Sequence, residues 1–182
     1  MKTLETERLI LREWKREDIE DFHEYAKVEG VGEMAGWPHH KNMEESIKVL
    51  KSFIESGEVY ALELKASGKV IGSLGLHHKT LDTDYKAIKP KMIGYVLSKD
   101  YWGQGLAIEA VDALLSYAFQ ELDVDVIWCA HFDFNRQSQR VIEKAGFEFY
   151  REKDFEARLL NKIYTEKQYI LTAAKWKKNA LL

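Results

Sequence analysis

The chain predicts an α/β or α+β fold, a mixed β-sheet flanked by helices, in a single domain spanning residues 1–182. Three observations carry this expectation. Segments of strand and helix periodicity alternate in the order β-α-α-β-β-β-α-β-α-β-β. Glycines, prolines and polar clusters separate them. No repeat, low-complexity tract or linker divides the 182 residues, a length ordinary for one compact domain.

Residues 8–14 (RLILREW) read as the first strand. Glu17-Asp18 then opens an amphipathic helix with Ile19, Phe22, Tyr25 and Ala26 on one face. Residues 29–42 hold glycines, Trp37-Pro38 and a histidine pair, and form a loop. Met43, Ile47, Leu50 and Ile54 keep helical spacing up to Gly57. Residues 59–64 and 69–77 are strands joined by Ala66-Ser67-Gly68, a hairpin signal. Residues 80–89 are a polar connection and 92–97 a strand. The strongest helix runs from Gly105 to Leu122, with Ile108, Val111, Leu115 and Phe119 down one side. A strand at 126–131 and a helix at 137–145, stopped by Gly146, follow. Residues 147–155 and 163–172 close the chain as an antiparallel pair, and Lys175 to Lys178 read as a solvated basic tail.

Composition narrows the function. A formal net charge of -3 disfavours a nucleic-acid binder. No apolar stretch nears the roughly 18 residues of a membrane span, and no apolar signal core follows Met1, so the cytoplasm is the expected location. The single cysteine, Cys129, precludes an intramolecular disulfide and reads as a buried strand residue rather than a nucleophile. A chain this long builds its core without a metal, and none is expected.

The chemistry concentrates in residues 92–107, MIGYVLSKDYWGQGLA. A strand leads through Ser98-Lys99-Asp100 to Trp102-Gly103-Gln104-Gly105-Leu106-Ala107 and straight into the best helix. Glycines let backbone N–H groups turn inward toward a phosphate, and a helix N-terminus adds unpaired donors and the positive end of its dipole. A tight turn with glycine used for geometry alone would look the same. A dinucleotide fingerprint would need a third glycine, and a Walker loop would need Gly-Lys-Ser/Thr; neither is present. One strand later, Asn135-Arg136-Gln137-Ser138 opens a helix that continues to Gly146-Phe147. Both features fall at the carboxyl ends of neighbouring strands, where open α/β sheets bind ligands.

The WGQGLA turn, its long helix and the following N-x-x-S-x-R-V-I-E-K-x-G-F segment resemble the GNAT acetyltransferase superfamily. The branch holding the RimJ/RimL-type N-terminal acetyltransferases of ribosomal proteins is the most similar, and Thr6-Glu7-Arg8-Leu9-Ile10-Leu11-Arg12 resembles its first strand. The resemblance covers nearly the whole chain and implies a mixed, mostly antiparallel GNAT-like sheet. It implies acetyl-CoA as cosubstrate, its pyrophosphate gripped by the turn Trp102, Gly103, Gln104, Gly105, Leu106 and Ala107. Trp102 replaces the usual Gln or Arg. Tyr95, Val96 and Leu97 match the strand that pairs with the pantetheine arm, and Asn135 matches a cofactor-contacting Asn. Ser138 matches a polar group near the thioester.

By that resemblance a neutral amine attacks the thioester directly. The acceptor is a protein N-terminus or a small-molecule amine, and a homodimer is a further implication. Ser138 is the candidate donor to the leaving thiolate, though it can equally bond locally with Asn135, the better N-cap. The tyrosine that many members use as acid falls at Ile142, and an acidic residue common before the central Gly-Tyr falls at Met92. His77 is the candidate base, because an ordinary histidine titrates near neutrality; His78, His39 and Glu33 are weaker candidates. An N-terminal α-amine, with a pKa of about 8, needs little help from a base. Trp37 and His39 are expected on the acceptor side, with His40 beside them, although Trp37 can also anchor the loop to the core. Glu109, one turn into the cofactor helix, is expected to oppose the dipole or make a structural contact rather than act in catalysis. Two other readings stand beside the enzyme: an acyl-CoA-binding sensor or interaction module without turnover, and an antibiotic- or polyamine-modifying acetyltransferase.

Overall fold

A computed structural model describes residues 1–79, 87 and 89–179. Its strands are β1 (Leu4–Glu5), β2 (Leu9–Arg12), β3 (Val59–Leu64), β4 (Lys69–His77), β5 (Pro90–Leu97), β6 (Val126–Phe132), β7 (Glu148–Ala157) and β8 (Lys162–Thr172). Its helices are α1 (Ile19–Ala26), α2 (Met43–Ser56), α3 (Leu106–Gln120), α4 (Arg136–Lys144) and α5 (Ala173–Asn179). The strands form one sheet in the order β1-β2-β3-β4-β5-β6-β8-β7, antiparallel at every pairing except β5 with β6.

Alternation along the strands sorts side chains onto two cores. Leu9, Leu11, Leu62, Ile71, Leu74 and Ile127 meet Ala110, Val111, Leu114 and Leu115 of α3 on one face. Trp14, Phe22, Tyr25 and Leu50 meet Val59, Ala61 and Val70 on the other, beneath α1 and α2. Burying a Leu or Phe side chain contributes about 2 kcal/mol each, so this double-faced core accounts for the sheet's cohesion without staples.

Local signals set the helix ends. The Asn42 side chain accepts from Glu45 N–H to cap α2, which stops at Gly57 in the left-handed region. Asn135 caps α4 in the same way, accepting from Ser138 N–H at 3.1 Å.

Two elements differ from the sequence expectation. β1 has only two residues, too few to show alternation. The basic run at Lys175–Lys178 is no free tail but lies on α5: Trp176 packs on Phe119 at 5.5 Å, and Lys175 pairs with Glu148 at 2.6 Å. One apolar anchor in two turns leaves almost no periodicity to read. The expected polar connection at residues 80–89 lies almost wholly outside the described residues. Among the described residues, no helix is long and apolar enough to cross a membrane.

Candidate active site

β5 and β6 pair only at Pro90–Val126, Lys91–Ile127 and Met92–Trp128, then part company. Beyond Met92, β5 stays paired with β4 and β6 with β8, so each presents an unpaired backbone edge to the gap between them. Such an edge inside a sheet is a template for an extended ligand. The gap is a cleft of about 600 Å³.

The expected phosphate turn stands at the mouth of this cleft. Gly103 and Gly105 adopt φ of 74° and 77°, a left-handed backbone that costs a side-chain-bearing residue about 1–2 kcal/mol. Gly105 is the N-cap of α3, and no side chain caps the helix. The first backbone bond there is Glu109 N–H to the Gly105 carbonyl, which leaves the N–H groups of Leu106, Ala107 and Ile108 unpaired within the helix. Gly103, Gly105, Leu106 and Ala107 line the cleft, and so does Ile108, the one residue of the predicted helical stripe that turns to the cavity. Trp102 fixes the approach to the turn: its indole N–H donates to the Leu97 carbonyl at 2.7 Å. Gln104 ties back to Asp100 through its side chain.

From behind, the turn is held by a polar clamp. Glu109 accepts from the Thr6 hydroxyl at 2.5 Å, from Arg8 N–H at 2.8 Å and from Arg8 Nε at 2.7 Å, while Arg8 Nη1 donates to the Gln104 carbonyl. Burial opposes ionisation of Glu109, but these bonds outweigh it and hold its carboxyl below the usual range. Its role is the structural contact, and the Thr-Glu-Arg segment at the start of β2 exists to meet it.

Midway along the cleft, the Tyr95 hydroxyl lies 2.9 Å from Ser138 Oγ and 3.2 Å from the Ser138 carbonyl. Burial pushes the Tyr95 phenol well up, against the pull of its bond to Ser138, so it keeps its proton at neutral pH. Asn135 both caps α4 and donates through Nδ2 to the Met34 carbonyl at 3.2 Å, joining the cleft wall to the 29–42 loop. Val96 and Leu97 line the cleft beside Tyr95. Ile142 is buried in the core beneath α3, and the Cys129 thiol, pushed up by burial, is a packing residue.

The acceptor candidates are less convergent. His77 bonds Glu58 through Nδ1 at 3.1 Å and is not among the cleft-lining residues. Trp37 lies flat over Gly32, in space a Cβ would fill, and packs on His40; it anchors the loop. His39 bonds Glu33 through both its backbone and its ring. Burial works against the Glu33 carboxylate, but bonds from His39 and Gly30 bring its pKa down to about 2. The same loop contributes Val31, Met34 and Ala35 to the cleft, and Gly36 abuts Phe132 and Phe155.

Two features escape sequence reasoning. The Tyr95 side chain reaches Ser138 across 43 positions, a contact no spacing rule forecasts. Glu166, buried on β8, also lines the cleft; β8 buries residues of both alternating sets, so in sequence this charge reads as one more exposed position. Among the described residues, no group of three or more His, Cys, Asp or Glu side chains is arranged to hold a metal.

A parallel pair that splays, an uncapped helix N-terminus at its mouth and a hydroxyl pair within give a cleft with backbone donors at one end and side-chain hydroxyls midway. Comparison with known proteins gives the family. The chain belongs to the acetyltransferase (GNAT) domain family, which it matches over residues 8–148. It is 27% identical over 150 residues to an uncharacterized N-acetyltransferase, YoaA, of Bacillus subtilis (strain 168), covering 80% of this chain and 82% of that one. A GNAT-family acetyltransferase from Bacillus anthracis superposes with a TM-score of 0.83 at 23% identity, covering 95% of this chain and 99% of that chain. The ribosomal-protein-S5-alanine acetyltransferase of Vibrio fischeri shares the fold at a TM-score of 0.75 and 18% identity, over 97% and 99% of the two chains. The protein is an N-acetyltransferase.

Proposed function

We propose that the enzyme takes its acetyl group from acetyl-CoA and delivers it to a primary amine by direct attack on the thioester. The observation that carries this reading is the uncapped start of α3, behind two left-handed glycines, opening on the gap between parted parallel strands. The unpaired N–H groups of Leu106, Ala107 and Ile108 suit a pyrophosphate, and the free edge of β5 at Tyr95, Val96 and Leu97 suits an amide-bearing arm. Acetyl-CoA supplies the activated acyl carbon and a thiolate leaving group.

The residues of the cleft account for the leaving-group proton. Tyr95 keeps its proton and stands 2.9 Å from Ser138 Oγ, where either oxygen can donate to the other, so it can re-protonate a Ser138 hydroxyl that has given up its proton. Ser138 therefore delivers a proton to the thiolate, and Tyr95 supports it. Asn135 keeps the first turn of α4 in place while this happens.

For the acceptor, we infer a monoamine, with a peptide N-terminal α-amine of the RimJ/RimL type as the leading case. The shared fold of the Vibrio fischeri enzyme supports that choice. Lys79 and Lys153 line the cleft and disfavour a polycationic polyamine. The test is thiol release from acetyl-CoA with a panel of N-terminal peptides, simple amines, spermidine and an aminoglycoside. Acetylation of a peptide or monoamine ahead of spermidine is expected. Binding of CoA with transfer to no amine would instead make the chain an acyl-CoA sensor.

A further inference from the structure

The acceptor's own proton needs a destination. Met92 stands on β5 where related enzymes often carry an acid, and His77 turns to Glu58. Of the described residues that line the cleft, Glu166 alone carries a carboxylate. It is 9% exposed, sits opposite Phe132 of β6 and Lys153 of β7, and accepts from Gln168 Nε2 at 2.6 Å. Arg151 in turn donates to the Gln168 oxygen at 2.9 Å, so the amide's orientation is fixed.

Strand alternation places this carboxylate relative to the Tyr95–Ser138 pair. Tyr169 and Leu171 belong to the core beneath α3, on the side where Tyr95 meets α4. Glu166 and Gln168 alternate with them and face the other side. There, Phe132, Phe155 and Tyr164 form an aromatic wall against which Gly36 of the 29–42 loop packs. The carboxylate and the hydroxyl pair thus reach one cleft from opposite faces of the parted sheet. Gln168 takes one acceptor position of this carboxylate and leaves others for an incoming ammonium, and an aromatic wall beside it welcomes a cation's apolar flank. The charged and titratable groups around it are Lys153 opposite on β7, Lys79 over the Trp128 ring, His131 held by the Tyr169 hydroxyl, Arg140 and Lys144 on α4, and Arg151 behind Gln168.

We propose that Glu166 receives the acceptor's ammonium and takes its proton, supplying from β8 the base that β5 lacks. This rests on the acetyl-transfer reading above. One proton passes from the ammonium nitrogen to a Glu166 oxygen and frees the lone pair. The nitrogen–carbon bond forms as the carbon–sulfur bond breaks, and the thiolate takes a proton from Ser138. The nitrogen sheds its second proton as the amide forms, which replaces the one given to sulfur. The proton on Glu166 then leaves to solvent.

The test compares the wild-type enzyme with Glu166→Gln on the best peptide or monoamine of the panel, at two pH values. Near neutral pH the variant should lose about 100-fold in kcat/KM, the usual scale of base catalysis. Well above the acceptor amine's own pKa, about 8 for a peptide N-terminus and about 10 for a simple alkylamine, free amine arrives from solution and the deficit should shrink below about tenfold. Glu166→Asp should recover part of the neutral-pH rate, and acetyl-CoA affinity should hold in both variants. A deficit equal at both pH values would mean a structural role and overturn the proposal, as would an unchanged rate. A wild-type enzyme that acetylates no amine would overturn the acetyl-transfer reading itself and the base with it. Transfer by the wild type with no loss in the variant would remove Glu166 alone.

Discussion

The Tyr95 hydroxyl and Ser138 Oγ stand 2.9 Å apart across the gap between β5 and α4. One side chain comes from β5 and the other from the first turn of α4, which follows β6, so the contact spans the gap where the two strands part. If they deliver the leaving-group proton as a unit, Ser138→Ala and Tyr95→Phe should each lower kcat by on the order of 10²-fold. The double variant should be little worse than the poorer single one. Acetyl-CoA affinity, read by calorimetry, should stay within about twofold, since neither change touches the phosphate turn. Multiplicative losses would separate the two roles.

Gly105 tests the donor site. Its φ of 77° penalises any side chain by about 1–2 kcal/mol, and the strain is relieved by moving the N–H groups that face the cleft. Gly105→Ala should raise KM for acetyl-CoA about tenfold, the equivalent of about 1.4 kcal/mol, with kcat largely retained. A fall in kcat at constant KM would argue that the turn acts on chemistry rather than on binding.

Sequence and structure agree where local physics decides. Turn glycines, caps and alternation foretold α2, β3, β4 and α3 to within a residue or two, because each carries its own signal. The glycine turn before α3 was legible for the same reason: Gly103 and Gly105 precede an apolar helix with no polar cap. What stayed hidden depends on distant pairing. Tyr95 was expected to contribute only its backbone, Glu166 was indistinguishable from surface charge, and β1 was too short to show a pattern. Glu58, 19 positions before His77, holds its ring away from the cleft, a pairing no local pattern encodes.

Glu109 couples stability to pH. Its carboxyl is held low in the folded state, so its contribution is present above the unfolded value of about 4.3 and is lost as pH falls through the folded one. Glu109→Gln should cost about 1–2 kcal/mol at pH 7, the worth of charge-assisted bonds partly screened by the exposure of Arg8. The gap between the two melting curves should close toward pH 3. A gap that persists in acid would place the effect in packing.

Glu33 makes the same argument for the 29–42 loop, the proposed acceptor side. Bonds from His39 and Gly30 hold it at about 2, so the loop's anchorage is complete above about pH 4.5 and fades only in strong acid. Glu33→Gln should loosen residues 30–39 at neutral pH. Faster hydrogen exchange confined to that loop, with a raised KM for the amine and unchanged acetyl-CoA affinity, is the expected result. Exchange that quickens throughout the sheet would contradict it.

The most direct test of the central claim follows both products at once. With acetyl-CoA labelled in the acetyl group and a panel of amines and N-terminal peptides, mass spectrometry should find one labelled acetyl on the acceptor nitrogen for each CoA thiol released. Thiol release without labelled amine, or tight CoA binding with neither product, would contradict an acetyl-CoA-dependent amine acetyltransferase.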